Sequence, residues 1–367
     1  MSPSPDKVPE SNVHETQDAL DVRHPFREGA KFAGIQFAPF DLPWERRLQT
    51  LATFLLVTWF MGGWIVTIYI FYRLLCCRLL FWIPLLYFAW LYLDFNQHNR
   101  GGRRFQWIRE LWIYSYWCDY FPVDLIKTHD LPAERNYLFG YHPHGIAGVG
   151  ALCSFLTEAL GFSEKFPGIT VHLLTTRLAY IWPVAREFFM ALGASNASKE
   201  NIKYITQSST GNAIVLVVGG ASESMEARPG GTRLVLKNRK GFIKMALRTG
   251  AYLVPVYGFG ENNLFEQLIP NPPGSLIRRG QRWLQKRTGI VPVFFVGRGL
   301  ANYTIGWMPR RHPIHVVVGK PLPVTQIAEP SEVEIDSLHL QYLDALTELF
   351  DSHKDQYGYG GTNLQFI

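Results

Sequence analysis

The chain has 367 residues and a formal net charge of +6, with 47 % hydrophobic, 14 % aromatic and only 18 % charged residues. That length suits one large domain plus an anchor, and the low charge fraction excludes a chain that is polar throughout, so part of it is expected in lipid. Basic runs interleaved with aromatics are missing, which excludes nucleic acid as a partner, and Cys76, Cys77, Cys118 and Cys153 have neither metal nor redox spacing.

Residues 1–45 form a polar N-terminal tail of net charge −4, which leaves +10 on the rest. Pro3, Pro5 and Pro9 and the missing apolar start argue against a signal peptide, and 1–35 is expected to be disordered. The basic remainder suits an anionic membrane surface or an anionic co-substrate. Residues 46–97 read as a hydrophobic membrane hairpin. Its first arm, 51–72, carries no charge and is long enough to cross the hydrocarbon core; its second, 79–93, contains Pro84. Arg46 and Arg47 before it, and Arg100, Arg103 and Arg104 after it, place both flanks on the cytoplasmic side. Arg73 and Arg78 in the connection favour a re-entrant over a fully spanning hairpin. With the body in the cytosol, the sequons at Asn196 and Asn302 are expected to stay unglycosylated.

From 98 to 367 the pattern becomes that of a catalytic α/β domain. Strands are expected over 136–141, 169–175, 213–218, 252–257 and 314–318. Helices are expected over 148–160, 184–192, 199–207 with Ser198 as N-cap, 240–248 stopped by Gly250, and 332–353. Alternation of this kind implies an αβ sandwich around a largely parallel sheet.

Tyr141-His142-Pro143-His144-Gly145 follows the first of these strands, and open α/β sheets carry their sites at strand carboxyl ends. A neutral imidazole there can take a proton from a hydroxyl near pH 7. Pro143 stiffens the turn, Gly145 permits close backbone approach, and the next helix would offer free N–H groups to an oxyanion. A metal-hydrolase alternative needs more ligands, and His172 and His315 lie inside strands without nearby acids. No metal is expected. Gly219-Gly220-Ala221-Ser222-Glu223-Ser224 supplies a carboxylate, Glu223, at another strand end, to orient a histidine, to bind a donor group or to cap a helix. It is not a Gly-x-Ser-x-Gly elbow. Arg228, Arg233, Lys237, Arg239, Lys240, Lys244 and Arg248 form a basic cluster. Within it Arg239-Lys240-Gly241-Phe242 opens a helix where the phosphates of a co-substrate would bind.

The ordered series Tyr120-Phe121-Pro122, His142-Pro143-His144-Gly145, Phe166-Pro167-Gly168, Gly219-Gly220-Ala221 with Glu223, Arg239-Lys240-Gly241-Phe242, Leu253-Val254-Pro255-Val256 and Phe259-Gly260-Glu261-Asn262 resembles the type 2 diacylglycerol acyltransferase family. That family includes monoacylglycerol and wax-alcohol acyltransferases, and the likeness runs from about Phe37 to the last helix. The resemblance implies a glycerolipid-acyltransferase-like fold and an endoplasmic-reticulum enzyme, also found at lipid droplets. It implies acyl-CoA as co-substrate, no cofactor, and diacylglycerol acylated to triacylglycerol. It implies His144 as the principal catalytic residue, supported by His142 and Glu223. Gly145, Arg239, Lys240, Gly241 and Phe242 are then the substrate-binding set. The remotely similar glycerol-phosphate acyltransferases carry an Asp five residues after the His; Ala147 and Val149 stand there instead. Monoacylglycerol is the alternative acceptor: the segments at 43–47 and 226–230 look like that branch, whereas the long tail points to diacylglycerol. From other classes, a membrane-bound lipid hydrolase and an inactive scaffold remain alternatives. Assembly state, a homo-oligomer included, stays open.

Overall fold

The computed structural model describes residues 30–367. Most of the tail expected to be disordered lies outside them; its end forms a small hairpin, Lys31–Phe32 against Ile35–Gln36. Seven strands build the central sheet: β1 (Val123–Lys127), β2 (Tyr137–His142), β3 (Thr170–Thr175), β4 (Ser195–Asn196), β5 (Asn212–Val217), β6 (Tyr252–Phe259) and β7 (Ile314–Val318). Their spatial order is β1-β7-β6-β2-β5-β3-β4, with every pair parallel except β6 with β7. All six residues of β2 are buried, as a parallel strand covered on both faces requires.

Tyr137, Phe139 and Tyr141 enter one core, with Trp117, Phe155 and Leu56. Leu138 enters the other, with Ile202, Ile243 and Leu346. This is the period-two alternation of a strand. The first core lies under α1 (Trp44–Cys76) and α3 (Trp112–Tyr120); the second lies under α5 (Lys199–Ser208), α7 (Gly241–Thr249) and α9 (Glu332–Asp351). Three other helices are α2 (Trp82–Leu93), α4 (Ala185–Ala191) and α6 (Gly220–Ser224), and α8 is Leu276–Thr288. Ser198 caps α5 as expected, Ser331 forms a capping box on α9, and Gly250 ends α7 at φ 69°.

The helix expected over 148–160 is much shorter. A turn at Val149–Ala151 widens into a π-turn at Leu152–Leu156. It ends there because the buried Arg109 guanidinium takes the carbonyls of Phe155, Leu156 and Thr157. The sequon asparagine Asn196 is 8 % exposed in β4 and donates to Asn99 Oδ1. Its lack of glycan would therefore report burial rather than membrane topology.

The hydrophobic region is divided between the body and a projecting part. At ~1.5 Å per residue, the 33-residue α1 is about 50 Å long. Its first half is part of the body: Ala52, Thr53, Leu56 and Val57 are buried, and Phe60 packs on Trp117 and Phe189. Its second half projects, with Ile65, Val66, Ile68, Ile70 and Leu75 exposed. The shorter α2 folds back on it through Phe71 against Tyr87 and Phe88. Leu56→Ala should therefore cost about 2–5 kcal/mol of stability. Ile68→Ala should stay within about 0.5 kcal/mol. Thermal denaturation of both variants in the same detergent checks this; equal losses would mean the two halves are not distinct.

Candidate active site

Three adjacent parallel strands, β5, β2 and β6, end at one edge of the sheet, because their register aligns Tyr141 with both Val217 and Val256. Each is followed within a few residues by chemistry: Glu223 after β5, His142 and His144 at the end of β2, and Glu261 after β6.

His142 continues the even-numbered face of β2 towards α9 and is fully buried. Gly140, two residues earlier, has no side chain, so Tyr342 of α9 reaches the strand there. The Tyr342 hydroxyl donates its only proton to the Gly140 carbonyl at 3.1 Å, and His142 Nε2 therefore donates to Tyr342 Oη, also at 3.1 Å. His142 Nδ1 keeps a lone pair with no partner among the described residues. Burial pushes its pKa down to about 3, so the ring is neutral. Phe242 packs edge-on against Tyr342 at 5.0 Å and is itself buried. Phe242, one of the residues expected to bind substrate, supports the His142–Tyr342 pair from the core.

His144 is partly exposed. Its Nδ1 lies 3.1 Å from the Gly145 carbonyl and 3.1 Å from Ser224 Oγ. A carbonyl only accepts, so Nδ1 carries the proton and Nε2 the free lone pair, with no protein partner among the described residues. Burial lowers the His144 pKa below the ordinary histidine value. The missing local Asp is thus replaced by a serine hydroxyl and a carbonyl.

Glu223 does not meet either imidazole. Its Oε2 accepts from the backbone N–H of His144 at 2.7 Å and its Oε1 from that of Val235 at 2.9 Å. The carboxylate ties three segments together and fixes the turn that carries His144. Burial pushes its pKa up to about 7, against the pull of both N–H bonds and Arg239. A Cβ at Gly219 would overlap this carboxylate, which explains a glycine there.

Glu261 was quoted above only as part of a motif, yet it is the counterpart of Glu223. It accepts from Val149 N–H at 2.8 Å, Gly150 N–H at 2.7 Å and the Tyr141 hydroxyl at 3.2 Å. Burial pushes its pKa up to about 7. The N–H groups expected to await an oxyanion at the start of that helix are therefore already engaged. Its only sequence signal is a carboxylate two residues beyond a fully apolar strand. Gly145, at φ 59°, backs on to Glu261: a Cβ there would lie 2.7 Å from Glu261 Cγ.

Of the basic cluster, Arg239 is exposed and donates to Ser222 Oγ at 3.0 Å, next to Glu223. Lys240 is held by Asp336 at 2.5 Å, Arg233 by Glu226, and Arg228 by Asn271. Gly241 opens α7, and a Cβ there would meet no atom within 4 Å among the described residues. The histidines considered for a metal have other partners: His172 bonds Asn212 and His315 bonds Asp124.

The family profile described as "Diacylglycerol acyltransferase" matches residues 72–366. Diacylglycerol O-acyltransferase 2 of Dictyostelium discoideum is 42 % identical over 321 residues, 88 % of this chain and 96 % of that protein. Diacylglycerol O-acyltransferase 2 of Homo sapiens is 46 % identical over 77 % of this chain and 73 % of its own length. 2-Acylglycerol O-acyltransferase 1 of Bos taurus is 43 % identical over 88 % of this chain and 96 % of its own. Among solved structures, the 1-acyl-sn-glycerophosphate acyltransferase PlsC of Thermotoga maritima overlays on 82 % of this chain and 97 % of its own at 12 % identity and a TM-score of 0.36. The profile spans the sheet, both buried carboxylates and the His142–Gly145 turn, and the relatives match 77–88 % of this chain: the protein belongs to the diacylglycerol acyltransferase family.

Proposed function

We propose that the protein transfers a fatty acyl group from acyl-CoA to the free hydroxyl of diacylglycerol, with His144 as general base. The observation that carries this reading is the uncommitted Nε2 of His144, on a ring whose other nitrogen is held by Gly145 and Ser224 at the sheet's carboxyl edge. Nε2 removes the hydroxyl proton as the oxygen attacks the thioester carbonyl. The tetrahedral intermediate then collapses, the C–S bond breaks, and the imidazolium returns its proton to the departing CoA thiolate. With Val149 and Gly150 engaged by Glu261, the turn before them supplies the oxyanion donors: the N–H groups of Gly145, Ile146 and Ala147 make no hydrogen bond among the described residues. His142 and Glu223 act as positioning residues. Arg239 receives a CoA phosphate beside the site. The projecting half of α1 sits in the endoplasmic-reticulum or lipid-droplet surface, with the catalytic body in the cytosol.

The base must be neutral to work, and burial lowers its pKa. The acidic limb of the kcat/KM profile should therefore lie below pH 6.5, and activity should persist into mildly acidic buffer. An acidic limb above pH 7 in both the wild type and Glu223→Gln would remove His144 as the titrating base.

A monoacylglycerol acceptor is the second reading, favoured by the bovine relative's name. An apolar site open to the bilayer discriminates weakly, since a second acyl chain can stay in the membrane. Both acceptors should react, with diacylglycerol preferred. Purified protein, labelled acyl-CoA and each acceptor in the same micelles provide the test. Labelled triacylglycerol is the expected main product; free fatty acid alone would mean a hydrolase. A monoacylglycerol rate about tenfold higher, about 1.4 kcal/mol in transition-state preference, would reverse the acceptor.

A further inference from the structure

Helix α8 is turned inside out for a soluble surface helix. Its body-facing side is polar. Arg278 pairs with Glu226 and donates to the Met225 carbonyl at 3.2 Å; Gln281 bonds Asn271 and the Pro292 carbonyl; Gln285 donates to Ser222 Oγ at 2.8 Å. Its outward side is a ridge of Leu276, 81 % exposed, and Trp283, 60 % exposed, seven residues apart and so on one face. An ordinary amphipathic helix buries that ridge and exposes its polar side. Cations flank the ridge: Arg279, Arg282 and Lys286 to one side, and Arg287, whose guanidinium lies 5.5 Å from the Trp283 ring centroid, to the other. The 13 residues contain five Lys or Arg and no acid. An apolar ridge flanked by cations is the pattern of a helix lying in the plane of an anionic membrane surface.

Its position agrees. Just past its end, Gly289 comes against Leu178. Four residues beyond Leu178, the Trp182 ring packs at a tilt against Trp64, centroids 4.9 Å apart, where α1 leaves the body. Ile181, next to Trp182, and Ile290, next to Gly289, are exposed as well. The body-facing side of α8, in turn, grips the segment that carries Ser222, Glu223 and Ser224, the last of which holds His144 Nδ1.

We propose that α8 is an in-plane docking helix that sets Leu276 and Trp283 into the interface of an anionic leaflet, and that this contact braces the turn under His144. Only the activity readout rests on the acyl-transfer reading above. The test uses the full chain in phosphatidylcholine vesicles with and without phosphatidylserine. An environment-sensitive fluorophore is placed at Trp283→Cys in a Cys76→Ser, Cys77→Ser background. Its emission should shift to the blue and be quenched by nitroxide-labelled lipid when phosphatidylserine is present. Arg279→Gln/Arg282→Gln/Lys286→Gln should abolish both changes while leaving the melting temperature unchanged. It should also abolish a several-fold gain in turnover with phosphatidylserine. Emission indifferent to phosphatidylserine in the wild type would overturn the proposal. So would a rise of about tenfold in KM for acyl-CoA in the triple variant without anionic lipid, since the cations would then serve CoA phosphates. Insertion without any acyl transfer would reject the function and leave the docking intact.

Discussion

His144→Ala should lower turnover by ~10²–10⁴ while the protein still accumulates and melts near the wild-type temperature. His144 is partly exposed, and its removal leaves only two acceptors, Ser224 Oγ and the Gly145 carbonyl, short of one donor. The main loss is therefore chemical. Ser224→Ala provides the control. It removes one of two acceptors of the Nδ1 proton and leaves the carbonyl, so the imidazole keeps its tautomer and loses only part of its orientation. Its effect should be well below that of His144→Ala and fall on kcat rather than KM. Initial rates with labelled acyl-CoA, alongside thermal denaturation, decide the matter. Near-normal turnover in His144→Ala would take this residue out of the mechanism.

Glu261→Ala should be among the most destabilising single changes in the protein. It would strand the N–H groups of Val149 and Gly150 and the Tyr141 hydroxyl in a buried site. A buried polar group left without a partner costs about 1–3 kcal/mol, so three such groups can remove a large part of the roughly 5–15 kcal/mol that holds a domain together. The variant should accumulate poorly and melt far below the wild type. Glu261→Gln keeps the volume but turns one acceptor into a donor facing an N–H, so its loss should be smaller yet clear. A glutamine variant that melts normally but does not turn over would mean that Glu261 takes part in the chemistry instead. An alanine variant with an unchanged melting temperature would mean that these hydrogen bonds are not supporting the fold.

The sequence by itself determined the local features. The strand before His142 was readable because β2 is apolar on both faces, and the caps at Ser198 and Gly250 because capping needs only near neighbours. The ordered motifs were enough to indicate the family. What crosses the sheet was settled only by the tertiary structure. Glu261 and Gly145 are 116 positions apart in the chain, and only the register of β6 on β2 brings them together. The role of Glu223 was open in the same way: its spacing allowed a partner ring, but the fold presents it with the His144 N–H. Tyr342, on the last helix, showed only as a core position until Gly140 opened a place for its hydroxyl under His142. Helix α1 looked uniformly apolar, and only packing against α3 divided it into a buried half and a projecting half, because hydropathy does not distinguish a protein neighbour from a lipid one. Helix α8 escaped the helical pattern altogether: its apolar ridge faces outward and its polar side is satisfied by hydrogen bonds from distant loops, the reverse of the periodicity that marks a helix buried on its apolar face.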